Sequence, residues 1–175
     1  MFRCCLLLMT TLVLLVPGIS IAADSSDIDL SALFDGKWQM RGKFRYAPDA
    51  DWISTKSELV AESKLGNHVV LREIEAPQIN FSALDIITYN AKSGVAQYIY
   101  INSRDTSALY YEGRCEDGCR KMTFEQLCGP AWTSQSCKGT TEIVFESDSR
   151  FVARDYRPGA DGKPYMTREV YYNRP

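Results

Sequence analysis

From Lys37 onward the chain alternates. Trp38, Met40, Gly42, Phe44 and Tyr46 are separated by Lys37, Gln39, Arg41, Lys43 and Arg45, so one face of an extended segment is apolar and aromatic while the other is cationic. A period of two with that contrast predicts a half-buried strand. Pro48-Asp49 then turns the chain into a second strand over about 52–64, Gly66-Asn67 into a third over 68–75, and Pro77 ends it. Further strands are predicted over 81–89, 95–102, 108–115, 121–128, 140–146, 150–156 and 165–173, most of them bounded by Gly, Pro, Asn or Asp turns such as Asn90 to Gly94. Ahead of them, residues 27–34 read as a short amphipathic helix capped by Ser26 or Asp27 and ended by Gly36.

About ten strands joined mostly by short connections favour hairpins between sequence neighbours, which makes an antiparallel meander. Closing that meander into a barrel removes the exposed edges an open sheet would leave; a two-sheet sandwich is the alternative. The fold class is therefore all-β. No repeat, low-complexity stretch or linker interrupts 23–175, so one domain is expected there.

The first 22 residues have a different pattern. Arg3 precedes an apolar run from Leu6 to Val16, then a Pro17-Gly18 break and small residues at Ser20 and Ala22, the arrangement of a cleavable secretory leader. The run is about eleven residues, short of the roughly 18–20 a membrane span requires, and no later segment is long enough either. The expectation is export, periplasmic or secreted, with no membrane span after cleavage. Removing 22 of the 175 residues, Arg3 among them, leaves 153 with 19 basic side chains against 22 acidic, a net charge near −3. That balance argues against nucleic acid, or an anionic membrane surface, as the main partner.

Gly36-Lys37-Trp38 at the head of the first strand resembles the Gly-x-Trp signature of lipocalins and their calycin relatives. Tyr89-Asn90 with Ser93-Gly94, and the hairpin from Tyr156 to Lys163 leading to Glu169, Tyr172 and Arg174, extend the likeness. In this order and spacing the residues are similar to a bacterial lipocalin-like domain family of unknown function, often carried behind a signal peptide, over about 34–174. The resemblance implies a barrel with Trp38 packed across its closed end. It carries over no catalytic residue. Some related ten-stranded barrels hold haem through one histidine, and the single histidine here is His68; its place just after the Gly66-Asn67 turn instead reads as a solvated strand end.

Between 115 and 137 the chain departs from that family pattern with a cysteine-bearing insertion. Cys115, Cys119, Cys128 and Cys137 remain after Cys4 and Cys5 leave with the leader, and an even number in an exported chain points to disulfides. Three pairings are open. The favoured one joins Cys115 to Cys119 and Cys128 to Cys137 across hairpin loops, where opposed Cα atoms lie within disulfide reach. A four-thiolate zinc site lacks its paired Cys-x-x-Cys spacing. No metal and no cofactor is expected.

Catalytic signatures are scarce. No Gly-x-Ser-x-Gly elbow accompanies His68 and no phosphate-binding glycine loop is present, while Glu58, Glu62, Glu73, Glu75, Asp85 and Glu112 are strand acids of the kind that mostly face outward. The remaining chemistry is aromatic and cationic. Tyr98 and Tyr100 share one strand face, as do Arg154 and Tyr156, and as do Arg168 and Tyr172; Arg72 lies on another strand. Any of these faces turned inward would place hydroxyls and an Arg fork in an apolar barrel, suited to the carboxylate end of a small apolar or lipid-like ligand. Two other functions remain open. One is a filled barrel acting as a protein-interaction module through the disulfide-bearing loop, with Pro130-Ala131-Trp132 at its tip; the other is an enzyme with perturbed acids or tyrosines in the cavity.

Overall fold

The computed structural model describes residues 28–127 and 138–175, with only the backbone described at 105–107. The leader, Ser26, Asp27, Cys128, Cys137 and the Pro130-Ala131-Trp132 tip lie outside these residues. A helix, α1 (Leu30–Phe34), precedes ten strands: β1 (Gly36–Phe44), β2 (Ile53–Lys64), β3 (Val69–Ala76), β4 (Phe81–Asn90), β5 (Val95–Asn102), β6 (Asp105–Glu116), β7 (Lys121–Gln126), β8 (Thr140–Ser147), β9 (Arg150–Pro158) and β10 (Pro164–Asn173). Each strand pairs antiparallel with its sequence neighbour, and β1 pairs with β10 through partners such as Met40 with Tyr172, so the meander closes into a barrel and is not a sandwich. Among the described residues no helix is long and apolar enough to cross a membrane.

Alternation explains the closure. Trp38 and Met40 of β1, Leu59 and Ala61 of β2, Val70, Arg72 and Ile74 of β3, and Ala83, Asp85 and Ile87 of β4 are buried, and a less buried residue lies between each and the next in its strand. At two points the neighbouring strand leaves no room for a side chain: a Cβ on Gly42 would lie 2.3 Å from the Glu169 carbonyl oxygen, and one on Gly113 2.0 Å from that of Thr123.

Three details differ from the sequence expectation. The helix spans only Leu30–Phe34 because Asp29 accepts a hydrogen bond from the Ser31 amide at 2.9 Å and is the N-cap, ahead of which the expected caps cannot act. Asp35 is its C-cap, and Gly36, at φ +117°, opens β1. His68 belongs to the β2–β3 turn, and β7 ends at Gln126, before Cys128.

A disulfide joins Cys115 to Cys119 across the β6–β7 turn, with Cα atoms 4.4 Å apart. Asp117, Gly118 and Cys119 all take positive φ there, and Cys119 is fully buried against the core.

Candidate ligand cavity

The barrel has two unlike ends and a charged layer between them. At one end, α1 plugs the opening. Phe34 packs edge-on against Phe145 at 5.0 Å and Phe151 at 5.7 Å, while Phe151 stacks on Tyr172 at 4.1 Å and meets Trp38 at 4.8 Å. Trp38 Nε1 donates to the Phe34 carbonyl at 2.7 Å, and Arg174 lies 4.6 Å over the Trp38 ring while donating to the Leu33 carbonyl at 3.1 Å. The indole is thus buried against α1 at this end.

Above the plug sit two ion pairs. Arg72 Nη2 donates to Asp85 Oδ2 at 2.6 Å, and Tyr98 OH donates to Asp85 Oδ1 at 3.2 Å, with Arg72 and Asp85 both almost fully buried. Arg168 holds Asp155 through Nε at 2.6 Å and Nη2 at 3.3 Å, and Thr141 Oγ1 donates to the same carboxylate at 2.9 Å. Burial pushes the Asp85 carboxyl up against the pull of Arg72. For Arg168 burial opposes the charge, but the Asp155 carboxylate, Tyr172 and Tyr98 together more than offset it and hold the guanidinium protonated. Burial also raises the phenols of Tyr98, Tyr100 and Tyr172. Arg72 Nε and Nη1 are buried with no hydrogen-bond partner among the described residues.

The other end is open. A cavity of about 410 Å³ lies there, walled by Met40, Phe44, Ile74, Phe81 and Val170, with Tyr100 and Arg168 at its side. Arg45, Arg104 and Arg157 stand around it, and among the described residues no carboxylate lines it. Among those residues their forks meet neutral acceptors. Arg45 Nε donates to the Met166 carbonyl at 2.9 Å and its Nη1 to that of Pro48 at 2.6 Å; Arg104 Nη2 donates to the Ile79 carbonyl at 3.0 Å; Arg157 Nη1 donates to Gln126 Oε1. Gly139 makes room for Arg157, since a Cβ there would lie 2.1 Å from its Nη1. Among the described residues none of these three arginines is in an ion pair.

Of the residues singled out from sequence, Tyr100 and Arg168 line the cavity, while Arg72 and Tyr98 lie in the layer between plug and cavity. Arg154 and Tyr156 do not belong to it. They alternate with the inward Ala153 and Asp155, and on the outer face Arg154 Nε pairs with Glu169 at 3.0 Å while Tyr156 OH donates to Glu142 at 3.4 Å. His68 sits in the turn at the plugged end, away from the cavity lining. Glu58, Glu62, Glu73, Glu75 and Glu112 are exposed, and Asp85 alone of the strand acids named above is buried. Among the described residues no group of three His, Cys, Asp or Glu could hold a metal ion.

A family described as "Protein of unknown function (DUF1579)" matches residues 30–174, from α1 to just past β10. The chain is a DUF1579 protein. No curated protein matches it. Among solved structures, this DUF1579 barrel is similar to the crystal structure of Rv2717c from M. tuberculosis, at 12% identity over 83% of this chain and 94% of that one, with a TM-score of 0.59. At that identity the likeness shows the fold alone.

Proposed function

We propose that this DUF1579 protein is an exported, lipocalin-like barrel that binds a small amphipathic anion, with its apolar part in the cavity and its charge at the mouth. The observation carrying this reading is the charge of the lining: three arginines, Arg45, Arg104 and Arg157, and among the described residues no carboxylate, beside an apolar space of about 410 Å³. That volume lies within the roughly 300–1,000 Å³ of small-molecule sites. A carboxylate entering the mouth would gain charge-assisted bonds from forks that now hold only carbonyl and amide oxygens. Arg168 and Arg72 serve differently: their charges are met by Asp155 and Asp85, so they brace the wall beneath the ligand. The leader pattern over 1–22 supports export, and the Cys115–Cys119 disulfide is consistent with an oxidising compartment. Gly36-Lys37-Trp38, with Trp38 across the plugged end, supports the lipocalin-like assignment.

The test is displacement of a fluorescent naphthalene sulfonate by dodecanoate and by dodecanol. Dodecanoate should displace it at lower concentration, and Arg104→Gln with Arg157→Gln should erase most of that advantage while leaving dodecanol unchanged. Equal competition by acid and alcohol, before and after substitution, would overturn the reading.

A further inference from the structure

The open end has a second property that a buried ligand does not require. Among the described residues eight large apolar side chains are conspicuously exposed, and five of them, Tyr46, Trp52, Ile53, Ile79 and Leu127, lie at this end. They come from separate pieces of chain: the β1–β2 connection and the start of β2, the 3₁₀ turn Pro77–Ile79 between β3 and β4, and the end of β7. Scattered exposed apolar residues need no explanation, but a set gathered around a cavity mouth marks a contact surface.

The wall is also open there on one side. Pairing between β2 and β3 stops at Glu58 and Glu75, so Ile53 to Ser57 have no β3 partner, and only the Gln78 side chain reaches across, to the Lys56 carbonyl. A groove of about 620 Å³ runs along this gap and shares Phe44, Tyr46, Thr55, Ile79 and Arg104 with the cavity. Its polar lining includes Arg41, Lys56 and Arg104 and no carboxylate, and none of the three cations is in an ion pair among the described residues. Around that lining stand Arg45 and four acids, Asp49 and Asp51 of the β1–β2 connection and Glu58 and Glu75, which share an adjoining groove with Arg41 and Lys56. The positive charge is therefore confined to the groove's own lining, on a chain whose overall balance is acidic. Trp52 lies under the Arg45 guanidinium at 4.6 Å and near Lys43 at 4.8 Å, which places an indole and cations side by side.

We propose that the open end docks on an anionic lipid bilayer. Indole and phenol rings interleaved with Arg and Lys suit the headgroup region, where an amphipathic ring has both its environments. A flat surface can meet loops from the β1–β2, β3–β4 and β7 edges together, whereas an extended peptide laid along Ile53 to Ser57 would meet one edge. In that pose the cavity and its side gap face the membrane, so an amphipathic ligand passes between the bilayer and the barrel without crossing water. This use of docking rests on the proposed cavity function; docking itself does not.

Purified protein freed of residues 1–22 should co-sediment with vesicles of phosphatidylcholine and phosphatidylglycerol in equal parts at least about tenfold more than with phosphatidylcholine alone, since each cation near such a surface contributes about 1 kcal/mol. The preference should fade as salt shortens the screening length. Ile53→Asp, and separately Arg41→Gln with Lys56→Gln, should each lower binding severalfold or more with melting temperature and dodecanoate affinity unchanged, because these residues do not line the cavity. Trp emission should shift to the blue on binding. Sedimentation equal on both vesicles, or unaltered by the substitutions, overturns docking, as does an acidic extended peptide binding the edge where vesicles do not. Dodecanoate binding measured in parallel separates the two readings: its loss with vesicle binding retained sinks only the cavity function.

Discussion

The plugged and open ends of this barrel handle their polar groups in opposite ways. At the plug, Trp38 Nε1 and the Arg174 Nη2 amine find backbone carbonyls of α1, and the space between rings is filled by other rings. Midway, each inward carboxylate has its guanidinium: the buried Asp85 has Arg72 and the half-buried Asp155 has Arg168. At the mouth, three arginines have only neutral acceptors among the described residues. A region built for stability settles its charges internally; one built for contact leaves a charge for something else to settle. The comparison therefore assigns stability to one end and recognition to the other.

The sharpest way to break that division is at the plug. Trp38→Ala should cost about 3–5 kcal/mol, as removal of a large buried aromatic does, seen as a large fall in urea midpoint. An unchanged midpoint would mean that the aromatic floor does not hold the barrel. The charged layer comes next. Asp85→Ala leaves the Arg72 guanidinium buried with no counter-ion and should also cost about 3–5 kcal/mol, whereas Arg72→Met with Asp85→Leu should recover most of the loss. A double variant as unstable as the single one would indicate a role for the pair beyond charge balance.

A pH titration probes the same interior more gently. Burial raises Tyr98, Tyr100, Tyr111 and Tyr172 in the folded state above the unfolded value near 10. The stability this gives is fully present below that pH and declines as pH climbs toward the raised values, since only the unfolded chain then sheds the protons. Tyrosinate absorbance should therefore appear in a steep step that coincides with loss of near-ultraviolet circular dichroism. Gradual titration of these four with the fold intact would contradict their burial. The smallest expected effect is at the mouth: Arg157→Gln should move stability by no more than about 0.5 kcal/mol, as for a residue outside the packed core, while weakening dodecanoate. A larger thermal effect would place Arg157 with the bracing arginines.

Much of the barrel is legible from alternation alone, because Trp38, Met40, Val70, Ile74, Ala83 and Ile87 fall on one phase of their strands. The buried pair was legible too, though it takes two strands at once: Arg72 interrupts the apolar phase Val70, Ile74, Ala76, and Asp85 interrupts Ala83, Ile87, so opposite charges occupy inward phases of neighbouring strands. In β9 and β10 both phases carry polar residues, Arg154 and Tyr156 against Asp155 and Arg157, and a period of two has no sign by itself. The irregularity between Met166 and Arg168 further shifts the register there. Arg45 eludes alternation for another reason. Its place after Phe44 puts it on the cationic phase of β1, but the strand ends at Phe44 and the turning chain carries the side chain over the mouth.

The seam between β1 and β10 joins residues 36–44 to residues 164–173, the two ends of the barrel's own sequence. Every other pairing can form as a local hairpin soon after its strands exist, but this one must wait for the final strand to be made. Until then the floor cannot assemble, because Trp38, Phe151 and Tyr172 arrive from opposite ends of the sequence. A chain in that condition is an open sheet with an apolar inner face and two unpaired edges, the species most prone to associate with its neighbours. Folding speed is accordingly governed by one long loop closure rather than by nine short ones, and loss of the last ten residues would cost the whole barrel, not a single strand.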